Sequence, residues 1–146
     1  MLLTDHRGTS LEFHALRYQF PQLTRTQYDS NWLVIGGRIE KDGAAWKFQD
    51  PCLLTNEMHS LAEWLESQAI DPGTNSEISF IEPNLYFKWI DRKLRVDLEC
   101  ECRPPWAPFD KVEEFYVNLS PSSEELLAAA EALRADLAKY PIRAED

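Results

Sequence analysis

Apolar and polar residues alternate most cleanly near the middle of this chain. Leu94, Val96, Leu98, Cys100 and Cys102 share one side, and Arg95, Asp97, Glu99, Glu101 and Arg103 share the other. That period of two predicts a half-buried strand from Leu94 to Arg103, stopped by Pro104-Pro105, because proline cannot donate to a ladder. Shorter runs predict strands at Leu11 to Phe20, Trp32 to Glu40, Ala44 to Gln49, Glu77 to Ile81, Leu85 to Ile90 and Val112 to Leu119. The first alternates imperfectly, since Phe13 and Tyr18 fall on opposite faces. Asp42-Gly43 suits the positive φ values of a two-residue type I′ hairpin. Gly36-Gly37 implies a bulge or a close backbone crossing. Asp29-Ser30-Asn31 reads as a bend before a strand, because Asp and Asn side chains bond nearby backbone groups.

Helical spacing replaces alternation in two places. Met58, Leu61, Ala62, Leu65 and Ala69 predict a helix over 55–69 with Thr55 as its cap. Its acids Glu57 and Glu66 flank the apolar stripe, Glu63 points away from it, and Trp64 lies off the stripe, as a tryptophan packed under a loop would. Leu126, Ala130, Leu133 and Leu137 predict a second helix over 122–140, opened by a Ser122-Glu125 capping box or one turn earlier by Ser120 with Pro121. Three strands, a helix, four strands and a helix, joined by short connections, imply an α+β fold. The expected form is a two-layer sandwich, with a mostly antiparallel sheet of about six to seven strands, both helices on one face and the other face open.

A chain of 146 residues that is 44% hydrophobic can bury a core without help, so residues 1–146 are expected to form a single domain. Asp5 and Arg7 interrupt the start before any apolar run of signal-peptide length, and no run approaches the ~20 residues of a spanning helix. The expectation is a cytoplasmic protein away from membranes. Cys52, Cys100 and Cys102 are odd in number and two lie too close for an unstrained bridge, which suits reduced thiols.

Net charge sharpens the picture. The formal charge is −10, and it is uneven: residues 1–54 hold six acids and six bases, while residues 55–146 hold 19 acids and 9 bases, and 9 − 19 = −10. Such a field opposes nucleic acid and favours a basic partner, although acidity also serves solubility.

The residues spell out no reaction. Cys100-Glu101-Cys102 lacks the second ligand pair a zinc site needs, and both thiols share the apolar face, as small buried hydrophobes do. Asp29 and Glu82 could be sought as a carboxylate pair, but nothing in the sequence brings them together. No phosphate loop, nucleophile elbow or dinucleotide glycine pattern occurs. Catalysis, metals and cofactors are not expected.

Four stretches, YDSNWLVI from Tyr28, LLTNEMHSLAEWL from Leu53, IEPNLYF from Ile81 and CRPPWA from Cys102, resemble the WapI family of bacterial immunity proteins in order and spacing. The closing LLAAAEALRADLAKYPIR resembles the family's leucine-rich end with its aromatic-Pro-x-Arg finish, while the segment from Arg17 to Gln27 departs from the pattern. The resemblance implies a protein that neutralises the C-terminal domain of a secreted polymorphic toxin. On the matching positions it implies that Asp29, Asn31, Trp32, Thr55, Trp64, Glu82, Pro83, Asn84, Arg103, Pro104, Pro105 and Trp106 define the fold. The expected partner is a basic toxin domain, met by Asp97, Glu99 and Glu101, with Glu57, Glu63 and Glu66 as a second patch. An ordinary solvated face accounts for the same acids. The alternative is a small-ligand or peptide-binding module that uses an open sheet face.

Overall fold

The computed structural model describes residues 1–24, 29–107 and 113–143. Two antiparallel meanders carry the strands, each in sequence order. The first comprises β1 (Leu2–Thr4), β2 (Ser10–Tyr18), β3 (Trp32–Lys41) and β4 (Ala44–Leu54). Helix α1 (Thr55–Ile70) follows directly, and the second sheet comprises β5 (Ser76–Ile78), β6 (Leu85–Ile90), β7 (Lys93–Leu98) and β8 (Tyr116–Leu119). Helix α2 (Ser123–Lys139) ends the fold.

The class is α+β, but two four-stranded sheets replace the single sheet of six to seven strands expected from the pattern. Each meander closes its own hairpins, so no crossover is needed to join them. Side chains bridge them instead: Trp46 Nε1 donates to the Cys102 carbonyl at 3.0 Å, and Lys41 Nζ to the Tyr116 carbonyl at 2.6 Å. One apolar core draws on both sheets and both helices, from Phe13, Ile35 and Phe48 to Phe87, Trp89 and Val96. The helices pack side by side, α1 reaching β4 and α2 reaching β1 and β2, and Arg134 clamps Glu66 with two bonds of 3.0 and 2.9 Å.

Local chemistry explains most elements. Asp42 and Gly43 adopt φ of 53° and 77°, the expected hairpin geometry. Gly37 meets a close approach: a Cβ there would lie 2.4 Å from the Phe48 ring and 2.6 Å from the Glu12 carbonyl. The bulges lie elsewhere, both beside Val34, where Leu16 is the extra residue on β2 and the register of β4 slips between Asp50 and Leu53. The first restores Tyr18 to the core side that Phe13 occupies, which cures the parity conflict in the sequence. Pro51 is tolerated because β4 is an edge strand. Ser122 and Glu125 form the expected capping box on α2. Thr55 is not the cap of α1: Leu54 takes that position, its N–H donating to Glu57 Oε2 at 2.9 Å.

β7 also departs from the pattern, ending at Leu98 rather than Arg103. The Glu99 N–H turns to the Asn84 carbonyl, Cys100 takes φ of 51°, and Cys100–Cys102 form a 3-10 turn. Cys100 is therefore exposed, while Cys102 is buried as expected. Tyr28, which opens the first motif, and Val112, where the last strand expected from the sequence begins, lie outside the described residues.

The bend Asp29–Asn31 is a second 3-10 turn, anchored by Asn31. Its Oδ1 accepts from Thr55 Oγ1 at 3.0 Å and from the Arg143 N–H at 2.7 Å, and its Nδ2 donates to the Arg143 carbonyl at 2.9 Å. The Arg143 guanidinium lies 3.5 Å from the Tyr18 ring centre and donates to the Phe20 and Leu23 carbonyls. The Tyr140-Pro141-Ile142-Arg143 finish is thus a latch that fixes the bend to the start of α1. Asn31→Ala would leave the Thr55 hydroxyl and the Arg143 backbone without these partners. It should destabilise the fold by about 3 kcal/mol in urea unfolding, whereas a loss below about 1 kcal/mol would mean that the latch holds without the amide.

Candidate binding site, an acidic cleft

The bend, the β4 bulge, the turn before β6 and the 3-10 turn after β7 enclose an open cleft of about 540 Å³. Trp32, Phe20 and Pro51 supply apolar wall, and Asp29, Asp50, Glu82 and Glu101 supply four carboxylates. The structure thus brings together Asp29 and Glu82, which the sequence could not connect. Among the described residues, no Lys or Arg lines the cleft and none forms an ion pair with these four acids.

Asn84, 2% exposed, holds the cleft's inner edge. Its Nδ2 donates to Asp50 Oδ2 at 3.0 Å and lies 3.4 Å from Glu101 Oε2, while its carbonyl accepts the Glu99 N–H at 3.0 Å. One amide therefore spaces two carboxylates that would otherwise repel. Two groups register the resulting negative field. Partial burial, then Glu101, pushes the Asp50 carboxyl above its usual range, with Glu82 adding and the Asn84 bond opposing. Burial, followed by Glu101 and Glu99, likewise pushes the Cys100 thiol up.

The acids favoured from sequence are dispersed. Asp97 is half-buried on β7, bonded to Lys88 Nζ at 2.8 Å and Arg95 Nε at 2.7 Å; burial pushes its carboxyl up, but these partners hold it below the ordinary value. Asp97 and Glu99 line a separate pocket of about 290 Å³ with Arg95 and Glu114, whereas Glu101 faces the acidic cleft. Glu57 is engaged twice, by the Leu54 and Ile81 N–H groups, Glu66 is held by Arg134, and Glu63 is exposed.

The motif residues divide by burial. Asn31, Thr55, Trp64, Asn84 and Pro104 are buried, and Trp64 packs edge-on against Phe87 with its Nε1 on Ser76 Oγ at 2.9 Å. Arg103 stacks over Phe115, Trp106 stands 59% exposed against Trp46, and Pro83 and Pro105 are exposed. Asp29, Trp32 and Glu82 line the cleft. Asp50 carried no sequence signal, because only the fold sets it beside Asn84 and Glu101.

A model of the WapI-like immunity protein family matches residues 1–141. The chain belongs to that family. No curated protein and no solved structure matches it. In this WapI-like immunity protein no three His, Cys, Asp or Glu side chains among the described residues are placed to hold a metal ion, and no described helix is long and apolar enough to cross a membrane.

The raised Asp50 pKa sets a pH dependence. A carboxyl that holds its proton more tightly in the folded chain subtracts stability as the pH rises from its unfolded value through its folded one. Asp50→Asn keeps an acceptor for Asn84 and removes the charge. Its melting midpoint should exceed the parent's at about pH 7, and the gap should close near about pH 3, below the unfolded carboxyl value. A lower midpoint at neutral pH would show that a cation already compensates the carboxylate.

Proposed function

We propose that this WapI-like immunity protein binds the toxic C-terminal domain of a cognate secreted protein and masks it, seating basic side chains of the toxin in the cleft of Asp29, Asp50, Glu82 and Glu101. The observation that carries this reading is the convergence of these carboxylates on one open cleft, spaced by a buried amide and lined by no described base. A Lys or Arg entering would relieve repulsion that the folded chain already holds, and the walls need not rearrange to receive it. The net charge of −10 would speed encounter with a basic partner such as a nuclease, and the seated ion pairs would slow release. The action is steric and electrostatic, in the cytoplasm, with no catalysis by the chain.

Asp97 and Glu99 contribute at the neighbouring pocket, where Lys88 and Arg95 already partly neutralise Asp97. Of the α1 acids, Glu66 pairs with Arg134 and Glu57 accepts two backbone N–H groups, whereas no described ion pair engages exposed Glu63. The alternative module would use a sheet face, and the outward positions of the first sheet carry the exposed side chains of Glu12, His14, Arg38, Lys47 and Gln49, an ordinary solvated surface.

The test is affinity for the toxin domain encoded beside this chain's gene. Reversing Glu82 and Glu101 together to Lys should weaken binding on the order of 100-fold, about 3 kcal/mol, mostly through faster release. Reversing exposed Glu131 on α2 should change it less than about threefold. Equal affinity for the parent and the double variant, with both folded by circular dichroism, would remove the cleft from the interface.

A further inference from the structure

Trp106 ends the Arg103-Pro104-Pro105-Trp106 stretch expected to define the fold, yet it is 59% exposed. Trp46, Trp64 and Trp89 are buried and spend their indole N–H groups on the Cys102 carbonyl, Ser76 Oγ and the Pro72 carbonyl. The Trp106 N–H bonds no described residue. Its ring is held in place all the same. The Ala107 N–H donates to the Pro104 carbonyl at 2.9 Å, closing a turn with Pro105 in the position proline favours, and the ring meets Trp46 edge-on at 5.4 Å. Trp106 is thus a fixed wall of a pocket of about 260 Å³ at the seam of the two sheets, and Trp46, Phe115, Tyr116 and Pro104 supply its other ring surfaces.

Two charged side chains border this pocket, and one is already engaged. Lys41 Nζ donates to the Tyr116 carbonyl at 2.6 Å and lies 4.7 Å from the centre of that ring. Asp42, at the tip of the hairpin between β3 and β4, is exposed and pairs with no described cation. The charge left open at the pocket is therefore negative.

We propose that this pocket docks a proline-rich segment of another protein in the polyproline II conformation, with a neighbouring lysine or arginine of that segment on Asp42. The volume is below the roughly 300–1,000 Å³ of a site for a drug-sized molecule and suits a few side chains of a longer chain. Fixed ring walls complement rigid rings, and a polyproline II segment is extended before it binds, so little conformational entropy is lost. That helix has no internal hydrogen bonds, which leaves its carbonyls open to the Trp106 N–H. Flexible aliphatic side chains would fill the same space but would lose rotamer freedom on entering. A basic flank is favoured by Asp42 and by the net charge of −10, which oppose an acidic one. The pocket shares no lining residue with the acidic cleft, so the inference stands apart from the masking role proposed there.

The probe is an acetylated, amidated peptide of one arginine followed by six prolines, titrated into the whole chain with amide and indole NMR shifts as the readout. Saturable binding with a Kd of about 1 mM or tighter should move the Trp106 indole N–H, and replacing the prolines by alanine should weaken it at least about fivefold. Trp106→Ala should weaken binding about tenfold or more. Asp42→Asn suits the left-handed φ of 53° at that position, leaves the ring walls intact and carries the test should Trp106→Ala unfold. It should weaken binding about threefold and flatten the salt dependence. No saturable shift by about 10 mM peptide, equal binding of the alanine peptide, or unchanged affinity and salt dependence in the folded variants would each overturn the proposal. So would self-association of the parent chain that the Trp106 substitution abolishes, because a second copy would then occupy the pocket.

Discussion

A buried carboxamide left without partners costs on the order of 1–3 kcal/mol per unsatisfied group, and Asn31 and Asn84 meet that constraint by tying irregular chain to irregular chain. Asn31 binds the bend to the first residue of α1 and to the closing segment at Arg143. Asn84 binds the turn before β6 to Asp50 on one side and to the 3-10 turn after β7 on the other. Neither amide belongs to a ladder or an α-helix, yet between them they tie the segments that carry Asp29, Asp50, Glu82 and Glu101. The two sheets supply the rigid ground, and these side chains decide how the loops stand on it.

Electrostatics follows from that placement. Carboxylates on a flexible surface drift apart and collect counterions, whereas Asp50 and Glu101 share one amide and Glu82 lies close enough for Asp50 to register its charge. The folded chain therefore holds repulsion that the proposed basic partner would relieve, so part of that partner's affinity would be prepared before contact. The same arrangement lowers stability in isolation, a trade common where a surface is kept for binding. By contrast Asp97 and Glu66 are acids already answered, by Lys88 and Arg95 and by Arg134, and they stabilise the fold that holds the cleft.

The helices, the Asp42-Gly43 hairpin and the central strands were legible because local spacing and turn chemistry decide them. Strand pairing was not: nothing in the sequence tells β8 to pair with β7 alone, or the Leu2–Thr4 segment to add a strand to the first sheet. The alternation through Cys102 also misled, because side-chain parity continues past Leu98 while the Glu99 N–H has already left for Asn84. That turn is what moves Glu101 from the face of Asp97 to the cleft. The motif residues were visible, but their division into buried anchors and cleft lining depends on contacts across more than a hundred residues, as between Asn31 and Arg143.

Hydrogen–deuterium exchange of this chain, alone and with its cognate toxin domain, tests the central claim most directly. Slowed exchange on binding should cluster at residues 29–32, 50–52, 82–84 and 99–102, four segments that together line the cleft. Protection confined to the helices or to the outer face of the first sheet, with these four segments unchanged, would contradict the account.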